Sequence, residues 1–304
     1  MKKITVLSLF DGMSCGRIAL EKLGYTDITY FASEIDKYAM QVSSHNYPNI
    51  IHIGDVSKVQ YKDGVLYTEN GNYEVENIDI IMGGSPCQGF SFSGKGLNFD
   101  DPRSKLFFEL HRLIKEINPK YFLVENVIMT KENEAVFNKY LGVEPIKFNS
   151  SLVSAQNRRR LYWTNIPNIG ELKDKEINFS DIMEHGAENV YYVTPKMWNW
   201  IGRSPKRMGK FKIYDKNSHE KMQMLEASHH KGISNQRCFA IRDKNKLRYI
   251  SLLECERLQN VPDGYTLIIN DDGKQLVSNS QRYKMLGNGW TVDVIAHILK
   301  NMKI

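Results

Sequence analysis

None of the four cysteines in this 304-residue chain, Cys15, Cys87, Cys238 and Cys255, forms a Cys-x-x-Cys pair. A zinc site and a disulfide framework are therefore not expected, no metal is expected, and scattered reduced thiols suit a cytosolic protein. No apolar run approaches the roughly 20 residues that span a bilayer. The opening MKKITVLSLFDG carries a short strand-like run ending in an acid, not the long apolar core of a signal peptide. A cytoplasmic protein with no membrane partner is expected. Internal repeats and low-complexity tracts are absent, which excludes solenoid architectures. A Gly-x-Gly-x-x-Gly turn is absent too, which weighs against an NAD-linked dehydrogenase.

With 41% hydrophobic residues the chain can bury a full core, as one large domain or a large one with a smaller one. The net charge of +6 is unevenly placed. Between Lys196 and Arg248 fourteen Lys or Arg stand against four Asp or Glu, so the remainder of the chain is net negative. One end of the molecule then carries a positive field suited to a polyanion, unless the stretch is simply a solvated basic surface.

The first half has a βα rhythm. Ile4 to Leu9 is a β-rich run, followed by the turn Phe10-Asp11-Gly12-Met13-Ser14-Cys15-Gly16 and a helical pattern from Arg17 to Leu23. Strand, glycine turn and helix in that order can face a ligand's polar groups. The next strand, Ile28 to Ser33, ends at Glu34, about where a dinucleotide-binding fold sets an acid on a ribose diol. A third, Ile50 to Ile53, ends in Gly54-Asp55. From Ser57 to Asn77 apolar and polar residues alternate around Asp63-Gly64 and Asn70-Gly71, which predicts a β excursion on the surface without a chemical role.

The apolar run Ile78 to Met82 predicts a buried strand that leads into GGSPCQGFSFSGKG (83–96). Cys87 then sits just past the carboxyl end of a strand, where open α/β sheets bind ligands, among glycines that let the backbone approach. It is the candidate nucleophile, although a cysteine is as readily a small buried hydrophobe. A helix is expected from about Ser104 to Glu116. The strand Tyr121 to Val124 ends in Glu125, bringing a carboxyl to the same edge as the thiol. A further helical stretch covers Glu132 to Tyr140. In Gln156-Asn157-Arg158-Arg159-Arg160, Arg158 and Arg160 project to one side of an extended segment and Arg159 to the other. From Asn165 to Asn279 the βα rhythm is lost, and Tyr191, Tyr192, Trp198, Trp200 and Phe211 alternate with cations. That pattern suits stacking and phosphate pairing with nucleic acid, or a small aromatic core. Met285 to Trp290 reads as a turn and Thr291 to Met302 as an amphipathic helix.

Taken in order, these segments resemble the cytosine-C5 DNA methyltransferases over most of the chain outside the basic region. FDGMSCG (10–16) is similar to their first motif, SPCQ (85–88) to their nucleophile motif and ENV (125–127) to their carboxylate motif. QNRRR (156–160) is similar to their arginine motif, ERLQNVPDGY (256–265) to the motif beyond their recognition region, and GNGWTVDV (287–294) to their last. Ser14-Cys15 stands where many bacterial members carry paired glycines, and Gly289-Trp290 replaces the commoner Ser-Val. Both look closer to the animal de novo DNA methyltransferases. The regulatory domains of those enzymes do not fit in this length, so a bacterial or phage source is expected.

The resemblance implies an α/β fold: a Rossmann-like S-adenosylmethionine-dependent methyltransferase sheet over 1–164 plus 280–304, with a smaller, irregular target-recognition domain over 165–279. It implies S-adenosyl-L-methionine as methyl donor and double-stranded DNA as substrate. A monomer is expected, and the sequence leaves open whether a cognate restriction endonuclease, acting independently, accompanies it. By the same resemblance Cys87, Glu125, Arg158 and Arg160 are catalytic. The cofactor pocket takes Phe10, Gly12, Gly16, Glu34, Ile35, Asp55, Val56, Pro86 and Leu106 from the first half and Asn288 and Trp290 from the last motif. DNA contacts fall to Gln88, Ser93, Lys95 and Arg103 and, in the basic region, to Arg203, Lys206, Arg207 and Lys210. Two rivals share the fold: a transfer RNA cytosine-C5 methyltransferase, whose Cys-Phe-Thr signature Cys238-Phe239-Ala240 partly matches, and a catalytically silent DNA-binding protein.

Overall fold

The computed structural model describes residues 2–86, 102–188, 190–234 and 237–304. Cys87, Gln88, Ser93 and Lys95 lie outside the described residues. Two compact units divide the chain: Met1–Asn149, Arg159–Glu171 and Val294–Ile304 form the first, and Ser150–Arg158 and Leu172–Asp293 the second.

The first unit contains strands β1 (Lys2–Leu9), β2 (Tyr25–Ser33), β3 (Ile51–His52), β4 (Gln60–Lys62), β5 (Val65–Thr68), β6 (Gly71–Glu74), β7 (Ile80–Gly83), β8 (Tyr121–Val127), β9 (Ile146–Asn149) and β10 (Arg159–Thr164). Its helices are α1 (Cys15–Lys22), α2 (Lys37–Asn46), α3 (Pro102–Ile117) and α4 (Lys131–Leu141). Seven strands make one sheet in the order β3-β2-β1-β7-β8-β10-β9. Neighbours from β3 to β8 run parallel, and β10 runs antiparallel to both β8 and β9. Alternate residues of β1 are buried on both faces, Ile4 and Val6 on one and Leu7 and Leu9 on the other, as crossover helices require of a parallel sheet. Leu7, Leu9, Ile81, Val124 and Trp163 pack one face against Phe107, Leu110 and Leu113 of α3 and Phe137 of α4.

The helices begin where the sequence supplies a cap. Asp36 accepts from the Tyr38 amide to start α2, and Thr130 caps α4, which stops at Gly142 with φ +71°. The predicted β excursion is a separate three-stranded sheet, β4-β5-β6. Asp63 and Gly64 take φ of +52° and +77° in its first turn, the conformation that an Asp-Gly hairpin turn demands.

In the second unit are α5 (Phe179–Ile182), α6 (Pro195–Gly202), α7 (Pro205–Met208), β11 (Lys212–Tyr214), β12 (Phe239–Asp243), β13 (Lys246–Arg248), α8 (Leu252–Leu258) and α9 (Asn279–Asn288). A last helix, α10 (Val292–Leu299), begins at its C-terminal boundary. β11, β12 and β13 form a small sheet. Beside it Ile201, Ile233 and Ala240 are packed by Trp200, Phe211, Leu247 and Tyr249. Part of the aromatic interleaving is thus a core, whereas Tyr191, Tyr192 and Trp198 are exposed. Of the basic residues, Arg248 is wholly buried and makes a two-bond pair with the equally buried Glu254, at 2.7 and 2.9 Å.

The segment 285–290, expected as a turn, is helical through Asn288. Gly287 is inside α9 because the helix lies against another backbone there: a Cβ would stand 2.2 Å from the Ala227 amide nitrogen. Among the described residues no helix is long and apolar enough to cross a membrane.

Candidate active site

The carboxyl ends of β1, β2 and β3 are tied to one another. The Asp11 amide donates to the Ser33 carbonyl at 3.1 Å, and Ser33 Oγ to the Gly54 carbonyl at 2.7 Å. Glu34, directly after β2, accepts from the Gly12 amide on one carboxylate oxygen and from the Ile35 and Asp36 amides on the other, each at 2.8 Å. Three amide donors fix the carboxylate without neutralising it. Next to it the Ile35 side chain is 75% exposed, an apolar surface without protein cover. Asp55 accepts from the Ser57 amide and hydroxyl, both at 2.9 Å, and Val56 behind it is buried.

The turn after β1 is strained where it must bend toward this edge. Phe10, Gly12 and Ser14 all have positive φ, at +57°, +61° and +66°, which only glycine adopts without steric cost. Asp11 anchors the bend by accepting from the hydroxyls of Ser8, Ser14 and Tyr30. Burial raises its pKa to about 6, with the nearby Glu34 charge adding to the rise and the hydroxyl donors opposing it. The sequence reading assigned Asp11 no role, and its three hydroxyl partners are 3, 3 and 19 residues away. The two at i±3 were the available signal. Gly16 is buried in α1, and Phe10 and Leu106 are partly buried against the sheet core.

A second cluster forms where β7, β8 and β10 meet. β7 and β8 pair with Gly83 opposite Val124, so Glu125 lies level with the point where the chain leaves β7 toward Pro86 and Cys87. Gly83 is required there, since a Cβ would meet the Leu9 carbonyl oxygen of β1 at 2.8 Å. Glu125 Oε1 and Arg160 Nε are 2.9 Å apart in an ion pair with both side chains about nine-tenths buried. Asn126 donates through Nδ2 to the Ser85 carbonyl at 3.3 Å, stapling the segment before Pro86 to β8. This Asn126 contact was not anticipated from the sequence.

In the second unit Arg158 is also buried, and the exposed Arg159 points the other way, as the alternation predicts. The Arg158 guanidinium donates to the carbonyls of Leu225, Gly287 and Gly289 at 3.0, 3.2 and 2.9 Å. Gln156 bonds the Leu258 carbonyl and accepts from the Leu225 amide. The Arg158 bonds hold the C-terminal end of α9, whose last residue Asn288 is exposed, and the chain just beyond it, where Trp290 is half-buried. Arg203, Lys206 and Lys210 are exposed, while Arg207 lies 4.0 Å over the Trp200 ring. Arg103 falls in the first turn of α3.

A profile of the family described as C-5 cytosine-specific DNA methylase matches residues 4–304. Type II methyltransferase M1.ScrFI of Lactococcus lactis subsp. cremoris is 30% identical over 99% of this chain and 78% of its own length. Type II methyltransferase M.BsuFI of Bacillus subtilis is 29% identical over 99% and 73%. Among solved structures, the Entamoeba histolytica methyltransferase EhMeth has the same fold, with a TM-score of 0.76 at 19% identity, covering 99% of this chain and 98% of its own. With the match extending from the first strand to the last residue, the chain belongs to the C-5 cytosine-specific DNA methylase family and is a DNA (cytosine-5-)-methyltransferase.

Proposed function

We propose that this enzyme methylates C5 of a cytosine rotated out of double-stranded DNA at a specific sequence, with Cys87 as nucleophile and S-adenosyl-L-methionine as donor. The observation that carries the reading is the buried Glu125–Arg160 pair at the end of β8, beside the strand that leads to Cys87. The first unit's edge fits the donor. Glu34 offers a fixed carboxylate to a ribose diol, Ile35 a bare apolar face to a purine, and Asp55 an acceptor to an exocyclic amine. Phe10, Gly12, Gly16, Val56, Pro86 and Leu106 complete that set, and the family's last motif assigns Asn288 and Trp290 to it. When bound, the donor supplies an electrophilic methyl group and leaves as a neutral thioether.

Cytosine C5 is a weak nucleophile until the ring is activated. The Cys87 thiolate adds to C6, which turns C4–C5–C6 into an enamine and places charge on N3 and O2. Glu125, in its protonated form, donates to N3, and Arg160, which lies against Glu125, donates to O2, so both act on charge that develops during addition. Once C5 carries the methyl group, water takes the C5 proton, the C–H electron pair forms the C5–C6 double bond, and Cys87 leaves C6 as thiolate, restoring the aromatic base. A stacked base exposes neither face to a thiol, so the target leaves the duplex. Gln88, Ser93, Lys95 and Arg103 attend it. Residues 165–279, with Arg203, Lys206, Arg207 and Lys210, read the surrounding DNA. The setting is a bacterial or phage-infected cytoplasm, and the chain acts as a monomer independent of any cognate endonuclease.

Duplex DNA and transfer RNA offered side by side with labelled donor test the reading. Wild type is expected to label DNA at cytosine C5 and to form a denaturation-resistant complex with 5-fluorocytosine DNA, and Cys87→Ala to do neither. Methylation by Cys87→Ala, or preference for transfer RNA, overturns it.

A further inference from the structure

The β4-β5-β6 excursion is joined to the candidate donor edge by its hairpin tip. Between β5 and β6, Glu69 Oε2 accepts from the Asp55 amide at 3.0 Å, and Glu69 Oε1 is paired with Lys58. Asn70 Nδ2 donates to the His52 carbonyl at 2.9 Å. The tip keeps its own shape through Thr68, whose hydroxyl donates to the Gly71 carbonyl at 2.7 Å and accepts from the Asn70 amide at 3.2 Å. Gly54, with φ +79°, leaves the space: a Cβ there would stand 2.8 Å from Glu69 Oε2. Lys58 and the Asp55 amide hold the Glu69 carboxyl below its ordinary range, so it is ionised at neutral pH.

We infer that Glu69 is a positioning residue for donor binding. Resting on the reading of Asp55 as the acceptor for the donor's amine, the inference is that Glu69 sets the direction in which Asp55 presents its carboxylate. The Asp55 backbone is gripped from two sides, by Glu69 through its amide and by Ser33 through the preceding Gly54 carbonyl. Its carboxylate is aligned by Ser57. Removing one charge-assisted bond from this frame frees the strand end to rotate, weakening a contact made equally in ground and transition states. Such a loss raises KM for the donor and leaves kcat alone.

Steady-state kinetics in donor and in DNA, with calorimetric titration of S-adenosylhomocysteine, test this on the full chain. Glu69→Ala is expected to raise donor KM and the S-adenosylhomocysteine Kd on the order of tenfold. Its kcat and its KM for DNA are expected within about twofold of wild type, as for loss of uniform binding. Glu69→Gln retains an oxygen that accepts from the Asp55 amide and is expected to restore most of the affinity. Lys58→Ala, which touches the other oxygen, is expected to leave donor KM near wild type. Unchanged donor KM in Glu69→Ala, or a rise that Glu69→Gln does not rescue, overturns the inference. A wild-type chain that binds no S-adenosylhomocysteine overturns instead the donor reading on which it rests.

Discussion

Arg160 faces a carboxylate, whereas Arg158, two residues earlier on the same side of the chain, faces main-chain oxygens. The first contact suits chemistry, because a guanidinium already aligned by Glu125 needs no reorganisation when charge appears on a bound base. The second suits architecture: three carbonyls drawn to one planar fork fix the backbone around Gly287 and Gly289. Substitution by lysine separates the two, since it keeps the charge but loses the fork. Arg160→Lys is expected to lower kcat by about 100-fold or more with only a small change in Tm. Arg158→Lys is expected to cost roughly 2–3 kcal/mol of stability, seen as a lower denaturation midpoint. Equal effects on activity and midpoint in both variants would contradict this division. The alternation of buried and exposed arginines was legible in the sequence from strand periodicity alone. What each arginine meets was not, because the partners of Arg158 lie 67 to 131 residues away.

Glycines decide how closely the elements approach. Gly287 lies within α9 against the backbone of Glu226 and Ala227, the nearest atoms 2.2 Å from a built Cβ. Main chain cannot swing aside as a flexible side chain does. Gly287→Ala is therefore expected to destabilise the enzyme by about 2–3 kcal/mol or more. Gly202→Ala in α6 meets nothing nearer than a methionine methyl at 4.0 Å and is expected to be neutral within about half a kcal/mol. Chemical denaturation of both variants checks the contrast. This glycine also accounts for the difference at 285–290: Gly-Asn-Gly carries a turn's composition, yet Gly287 is there for the close approach of α9 to the 226–227 backbone and not for a turn. Elements whose signal is local were readable, including the alternating strands, the Asp63-Gly64 hairpin and the amphipathic α3 and α10. β9, a short edge strand defined by its pairing with β10, left no such mark.

Across the whole molecule, two buried titratable groups respond to acid in opposite directions. In the first unit, burial raises Asp11 from 3.8 to about 6, with Glu34 nearby and Ser8, Ser14 and Tyr30 donating to it. The folded state then binds a proton more readily than the unfolded chain, so this group adds stability as pH falls from about 6 toward 3.8. In the second unit, burial lowers His229 from 6.5 to about 4. Its Nδ1 bonds the Glu226 main chain, Nε2 is buried, and Arg237 and Glu226 are the charges facing it. Here the unfolded chain binds the proton more readily, and stability is lost as pH falls from 6.5 toward 4. Each shift corresponds to about 3 kcal/mol, so between pH 4 and 6 the two largely offset. Single substitutions expose them. The Tm of Asp11→Asn relative to wild type is expected to fall as pH drops from about 7.5 to 4.5, because wild type gains what the variant cannot. The relative Tm of His229→Phe is expected to rise over the same interval, because the variant escapes the protonation that weakens wild type. Thermal unfolding of the three proteins across that range decides it, and parallel pH profiles would show that neither group is coupled to folding as its burial requires.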